Sequence, residues 1–178
     1  RMNTIPSVLA LDIGNTNISV AIVHGEDVTD VKRFDVANPE GLSQELDALW
    51  EQMDEPRCVV ASSVNPAGLK LAESAAVSTL GEAPLVVGRD LPLPMTTELD
   101  APEAVGSDRL CAAVAAYDRL GMACVVADLG SATTIDCVND DGVFLGGVIL
   151  PGLKMSLEAL AQHTALLPTV EPGKPAGP

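Results

Sequence analysis

The chain has 178 residues, 47% of them hydrophobic but only 2% aromatic, and a formal net charge of −15. That length holds one large domain or two small ones, and a core limited to Ala, Val, Leu and Ile suits a layered α/β architecture with buried strands. The acidic balance argues against a nucleic-acid partner and against anionic membrane surfaces, so an anionic ligand would have to be met locally by backbone N–H groups, hydroxyls and bound cations.

The first apolar run, Val8 to Leu11, ends at Asp12-Ile13-Gly14-Asn15-Thr16-Asn17, and a second, Ile18 to Val23, follows at once. Two β-runs joined by a Gly/Asn turn predict a hairpin, extended to a meander by a third strand around Val31 to Val36. After Asn38-Pro39 the residues Leu42, Leu46, Leu49, Trp50 and Met53 recur at helical spacing, with Trp50 as a core anchor. A buried strand at Cys58–Val64 stops at Asn65-Pro66, a weaker helix covers 67–79, and Pro84 to Val87 is a further strand. A proline-rich connection, 91–102, leads to a helix predicted over Glu103 to Leu120.

At Ala123 the pattern restarts. Cys124 to Ala127 leads into Asp128-Leu129-Gly130-Ser131, then Ile135 to Val138, the turn Asn139 to Gly142, and a strand over Val143 to Ile149. Apolar strand, Asp-x-Gly, small polar residues, strand, turn and strand thus occur twice, an internal repeat that predicts two copies of one β-meander facing each other across a cleft. The second copy is cut short: a helix from Leu153 to Ala165 gives way to a tail, 168–178, too rich in Pro and Gly for regular structure.

The four cysteines, Cys58, Cys111, Cys124 and Cys137, are widely spaced among apolar neighbours with no C-x-x-C pair, which reads as buried reduced thiols. Residues 1–7 lack the apolar core of a signal peptide, and no stretch reaches the ~18 apolar residues of a membrane span, so a soluble cytoplasmic protein is expected.

Each motif has a plain and a chemical reading. In the first Asp-x-Gly turn, Gly14 permits a tight turn and close ligand approach, successive N–H groups form an anion nest, Asn15 and Thr16 add neutral donors, and Asp12 can hold a Mg²⁺-bound water. The plain reading is an ordinary hairpin. Two such loops, each in a restarted meander, favour phosphate binding, although neither a P-loop nor a Rossmann glycine triplet is present. For Gly106-Ser107-Asp108-Arg109 the plain reading makes Ser107 a helix N-cap with Asp108 in the first turn. The chemical one makes Asp108 a general base on a substrate hydroxyl and Arg109 a carboxylate clamp. Spacing alone leaves these two open.

Taken together, Asp12 to Asn17, Ala61-Ser62-Ser63-Val64-Asn65-Pro66, Gly106 to Arg109, Asp128 to Asp136, Gly146-Gly147 through Pro151-Gly152, and Thr164 to Pro168 occur in an order that resembles the type III pantothenate kinases. These bacterial enzymes phosphorylate pantothenate with ATP in the first step of coenzyme A biosynthesis. The resemblance implies an α/β fold of duplicated ribonuclease-H-like (actin-like ATPase) units. Residues 1–120 would form the first unit and 121–178 a truncated second, since family members continue for several tens of residues. It also implies a cytoplasmic homodimer dependent on Mg²⁺ and a monovalent cation, K⁺ or NH₄⁺, with ATP as co-substrate.

By matched position, Asp12, Ile13, Gly14, Asn15, Thr16, Asn17, Ile18 and Ser19 would form the first ATP-phosphate loop, Ser131 would bind ATP phosphates and Asp128 the monovalent cation. Gly106, Ser107, Asp108 and Arg109 would hold pantothenate, with Asp108 as proton acceptor. Leu99 stands where the family often has a Tyr lining the pantothenate site, and Ser131 where it usually has Thr. The alternative is a shortened, non-catalytic homologue acting as a binding or regulatory protein.

Overall fold

The structure is a computed structural model that describes residues 6–93 and 95–173. The chain forms two compact units, one of Arg1–Pro94 with Glu103–Cys111, the other of Met95–Pro102 with Ala112–Pro178.

The first unit is built on β1 (Ser7–Ile13), β2 (Asn17–His24), β3 (Asp27–Val28), β4 (Lys32–Asp35), β5 (Arg57–Ser63) and β6 (Leu85–Val86). These form one sheet in the order β3-β2-β1-β5-β6, with β4 also on β2. β1 runs antiparallel to β2 and parallel to β5. The third strand expected at 31–36 is β4, and a short additional strand, β3, precedes it: β3 pairs with the end of β2 and β4 with its start. Between them Thr29 bonds Ile22 through both its backbone N–H and its side-chain oxygen, which interrupts the ladder.

The period-2 alternation of β1 and β2 sends Leu9, Leu11, Ile13, Ile18, Val20 and Ile22 to one buried face. Two helices share the core on that face. α1 (Leu42–Trp50) contributes Leu42, Leu46 and Leu49. α2 (Pro66–Leu80) buries Gly68, Ala72 and Ala76, small residues one turn apart that bring its backbone close to the sheet. A Cβ at Gly68 would stand 2.9 Å from Ile13 Cγ2. Trp50 is half-buried at the edge of this core, with the Arg57 guanidinium 4.3 Å over its ring.

Asn65 and Pro66 do more than stop β5. Asn65 is the N-cap of α2, its side-chain oxygen accepting from Ala67 N–H at 3.1 Å and Gly68 N–H at 3.0 Å, with proline at the first helical position.

The second unit holds an antiparallel meander of β7 (Cys124–Leu129), β8 (Ala132–Val138) and β9 (Phe144–Pro151), followed by α4 (Leu153–His163). Its buried anchors include Val138 and Phe144, and Phe144 exchanges backbone hydrogen bonds with Thr96 and Glu98. Glycine is obligatory at Gly147, where a Cβ would collide with the carbonyl of Ile135 and the carboxylate of the buried Asp136. Much of this unit's apolar surface is uncovered: Val125, Leu129, Ile149, Leu153 and Leu160 are all exposed, and α4 buries none of its residues.

The helix predicted over Glu103 to Leu120 is two elements: a 3₁₀ turn at Pro102–Ala104, then α3 (Ser107–Leu120), with the break at Val105-Gly106. The first turn of α3 belongs to the first unit and the remainder, from Ala112, to the second. Beyond α4 the described residues 164–173 have no regular structure, as their composition predicts; the last residues of the tail, 174–178, lie outside the described residues.

Candidate active site

In the first unit the carboxyl ends of two parallel neighbours, β1 and β5, lie side by side, the position where open α/β sheets bind ligands. Register places Asp12 opposite Ser19 on β2 and opposite Ser62 on β5, so the three side chains form one row on the sheet face away from the α1/α2 core. Asp12 is exposed, as are Asn15, Thr16 and Asn17 in the turn that follows; Ile13 and Ile18 point into the core, leaving only their backbones to a ligand.

The turn is closed by Gly14 N–H donating to Asn17 O at 2.9 Å and is tied to α2 by Asn65 Nδ2 donating to Gly14 O at 3.4 Å. Gly14 is not in the left-handed region, and the nearest atom to a Cβ there would be Asn17 O at 3.5 Å, an ordinary contact. The fold itself therefore does not require glycine at this position, contrary to the tight-turn argument; the missing side chain instead keeps the space in front of the loop open.

The start of α3 meets this row from above. Ser107 does not cap its own helix. Its hydroxyl donates to Ser63 O at 3.2 Å and lies 3.0 Å from Ser62 Oγ. Asp108 turns its Oδ1 back to accept from Arg109 N–H at 2.7 Å. A Cβ at Gly106 would sit 2.5 Å from that same oxygen and 3.1 Å from Val64 Cγ1, so the glycine of Gly106-Ser107-Asp108-Arg109 makes room for the carboxylate.

One turn into the helix, Cys111 lies within reach of Ser62 and of the Asp12 and Asp108 carboxylates. Burial pushes its thiol above the usual range, the neighbouring Ser62 partly opposes this, and the two carboxylates add to the rise. The four cysteines are free and half-buried, not fully buried as their neighbours suggest.

Beside Gly106 and Ser107 opens a cavity of about 440 Å³, lined also by Ser63, Val64, Gly88 and Arg89, a volume in the range of small-molecule sites. The Arg89 guanidinium at its wall is held by Glu73 at 2.7 Å and Asp90 at 2.9 Å.

The second Asp-x-Gly loop is described within its own unit. Asp128 is exposed near the end of β7 opposite Thr134, and Gly130 N–H donates to Ala132 O at 2.9 Å, one residue tighter than the first loop. Gly130 likewise lies outside the left-handed region with 3.6 Å of clearance. Ser131, exposed, accepts through its carbonyl from Gly152 N–H at 3.2 Å, and a Cβ at Gly152 would overlap Gly130 O and Ser131 O, so the Pro151-Gly152 step packs directly under this loop. Leu99 also belongs to the second unit, its side chain 3.1 Å from where a Cβ of Gly146 would be.

Thus Asp12 to Ser19 and Gly106 to Arg109 come together in one unit, while Asp128, Ser131 and Leu99 lie in the other. No motif in the sequence points to a functional role for Ser62 or Cys111, and Asn65 reads there only as a strand stop. A Ser-Ser-x-Asn-Pro step at a strand end is a helix-start signal that could have pointed to Asn65; nothing local could have found Ser62.

Two sheets in one mixed α/β chain, each with an Asp-x-Gly turn at a strand end, define the actin-like ATPase fold class. Its architecture is shared with the type II variant of the Ppx/GppA phosphatase from Aquifex aeolicus, with a TM-score of 0.52 at 15% identity over 89% of this chain and 55% of that one. Residues 8–178 match the profile of the type III pantothenate kinases, and the chain belongs to that family. It is 35% identical to the type III pantothenate kinase of Geobacter sulfurreducens, covering 95% of this chain and 69% of the relative. It is 39% identical to that of Ruegeria pomeroyi, covering 94% and 68%.

Proposed function

We propose that this chain catalyses ATP-dependent phosphorylation of the primary hydroxyl of pantothenate, the entry step of coenzyme A synthesis. The observation that carries the reading is the meeting, in one unit, of the Asp12–Ser19 turn with the Gly106–Arg109 helix start, where Ser107 lies 3.0 Å from Ser62, the β5 partner of Asp12. A phosphate-facing and a substrate-facing carboxylate are what phosphoryl transfer to an alcohol needs on either side of the moving group.

In this reading pantothenate binds at the start of α3 beside Gly106 and Ser107, with Arg109 pairing its carboxylate and Asp108 orienting its hydroxyl. As the hydroxyl oxygen bonds to the γ-phosphorus, the bond to the bridging oxygen breaks, ADP leaves with that electron pair, and the hydroxyl proton passes to Asp108. The Asp12–Ser19 loop, with the side chains of Asn15 and Thr16, holds the polyphosphate, and Ser131 is assigned to ATP phosphates by its place in the family motif. Leu99 fills the family's Tyr position at the substrate.

Among the described residues no cluster of three or more His, Cys, Asp or Glu forms. That suits Mg²⁺, which keeps most of its waters and needs only one or two carboxylates beside the phosphates. Exposed Asp12 fits that outer-sphere role, and exposed Asp128 fits a loosely held monovalent cation, K⁺ or NH₄⁺. When bound, these cations supply charge neutralisation on the phosphate oxygens.

Seen as a duplication, the copies divide at 120/121. Two chains pair through the uncovered apolar face of the second unit, giving a homodimer. Free thiols fit a reducing compartment, and the reaction belongs to the cytoplasm. Among the described residues no helix is long and apolar enough to cross a membrane.

Coupled ADP release with pantothenate, Mg²⁺ and K⁺ tests the reading. The wild-type chain should turn over, and Asp108→Asn should lower kcat by about 10² or more while still binding ATP. Binding of neither ATP nor pantothenate by calorimetry would refute it; binding without turnover would point to a non-catalytic relative.

A further inference from the structure

Ser62 belongs to the strand row containing Asp12 and also touches the first turn of α3: it sits opposite Asp12 in the parallel β1/β5 register, with its Oγ 3.0 Å from Ser107 Oγ.

The directions of these bonds follow from proton counting. A serine hydroxyl has a single proton. Ser107 gives its proton to Ser63 O, so Ser62 must donate to Ser107. The result is a one-way chain from Ser62 through Ser107 to the Ser63 carbonyl, anchored at its end on the β5 backbone.

We propose that Ser62 is a positioning residue for phosphoryl transfer: it pins the first turn of α3 to the strand beside Asp12 and so fixes where the Asp108 carboxylate points. Asp108 directly follows Ser107, so a rotation of the turn that breaks the Ser62 contact carries Asp108 with it. Its carboxylate has little other freedom, being wedged over Gly106 and bonded only one residue away. An error of about 1 Å in such a group can cost about 10²-fold in rate.

This inference rests on the kinase reading for its catalytic consequence but not for its structural one, and the test separates the two. The full chain is compared as wild type, Ser62→Ala and Ser62→Thr by steady-state kinetics and by amide hydrogen exchange of residues 107–110. Ser62→Ala should lower kcat about tenfold or more, leave KM for ATP and pantothenate within about twofold, and speed exchange in the first turn of α3. Ser62→Thr, which keeps the hydroxyl, should restore both. In a cycle with Ser107→Ala, the double variant should be no slower than the worse single one, because the two hydroxyls act as a unit. Unchanged exchange in Ser62→Ala, a fully additive cycle, or an equal defect in Ser62→Thr would each overturn the proposal. If the wild type itself releases no ADP, the kinase reading falls, and the exchange data alone decide whether Ser62 anchors the helix.

Discussion

At Gly106 a hydrogen atom in place of a methyl decides whether Asp108 can lie where it does. The hypothetical Cβ is 2.5 Å from Asp108 Oδ1, well inside any real carbon–oxygen contact, and Val64 closes the other side at 3.1 Å. Gly106→Ala should therefore fold, since the strain is relieved by swinging one partly buried carboxylate, but kcat/KM should fall by about 10- to 100-fold. A thermal midpoint within a few degrees of wild type, together with that loss, would support the account; unchanged kinetics would show that Asp108 is not where the reaction needs it. Gly14 and Gly130 present the opposite case, because nothing in the protein crowds them. A glycine with no internal reason to be one is most simply explained by something outside the fold that approaches it.

At the level of elements, Asn65 links three pieces of the first unit: it ends β5, caps α2 and reaches the Asp12–Asn17 turn through Gly14 O. Asn65→Ala should destabilise the protein by about 1 kcal/mol through the lost cap. It should also weaken ATP binding more than that stability change alone explains, because the turn loses its tether; denaturant melts beside calorimetry with ATP check both.

The strands, α1, α2 and the repeated meander were legible because each depends on local periodicity, as in Leu42, Leu46 and Leu49 or the alternation of Leu9, Leu11 and Ile13. The break at Val105-Gly106 was not, since 103–120 reads as continuous helix until Asp108 is seen folded over Gly106. The two Asp-x-Gly turns and Gly106 to Arg109 were visible as motifs. The Ser62–Ser107 contact was not: it joins residues far apart in sequence by packing that no spacing rule encodes, and Ser107 directs its hydroxyl to β5 instead of its own helix.

For the whole molecule, the contrast between the units is in what they leave exposed. The first encloses its aliphatic core between sheet and helices, whereas the second presents Val125, Leu129, Ile149, Leu153 and Leu160 to solvent. A surface of that kind is uncommon on a stable monomer. Sedimentation at micromolar concentration should give twice the chain mass, and a monodisperse monomer would count against the homodimer. The high negative charge makes the prediction sharper, since self-repulsion between two such acidic chains must be outweighed by apolar burial and should weaken with added salt.

The path of the backbone has a further effect. The chain leaves the first unit at Met95, returns at Glu103 and leaves again at Ala112. No single break in the gene can therefore yield the two units as separate pieces. Splitting after Leu120 would strip the second of Met95–Pro102 and of the whole stretch from Ala112 to Leu120, so the carboxyl-terminal piece made alone would lack the neighbours of Phe144 and should be insoluble.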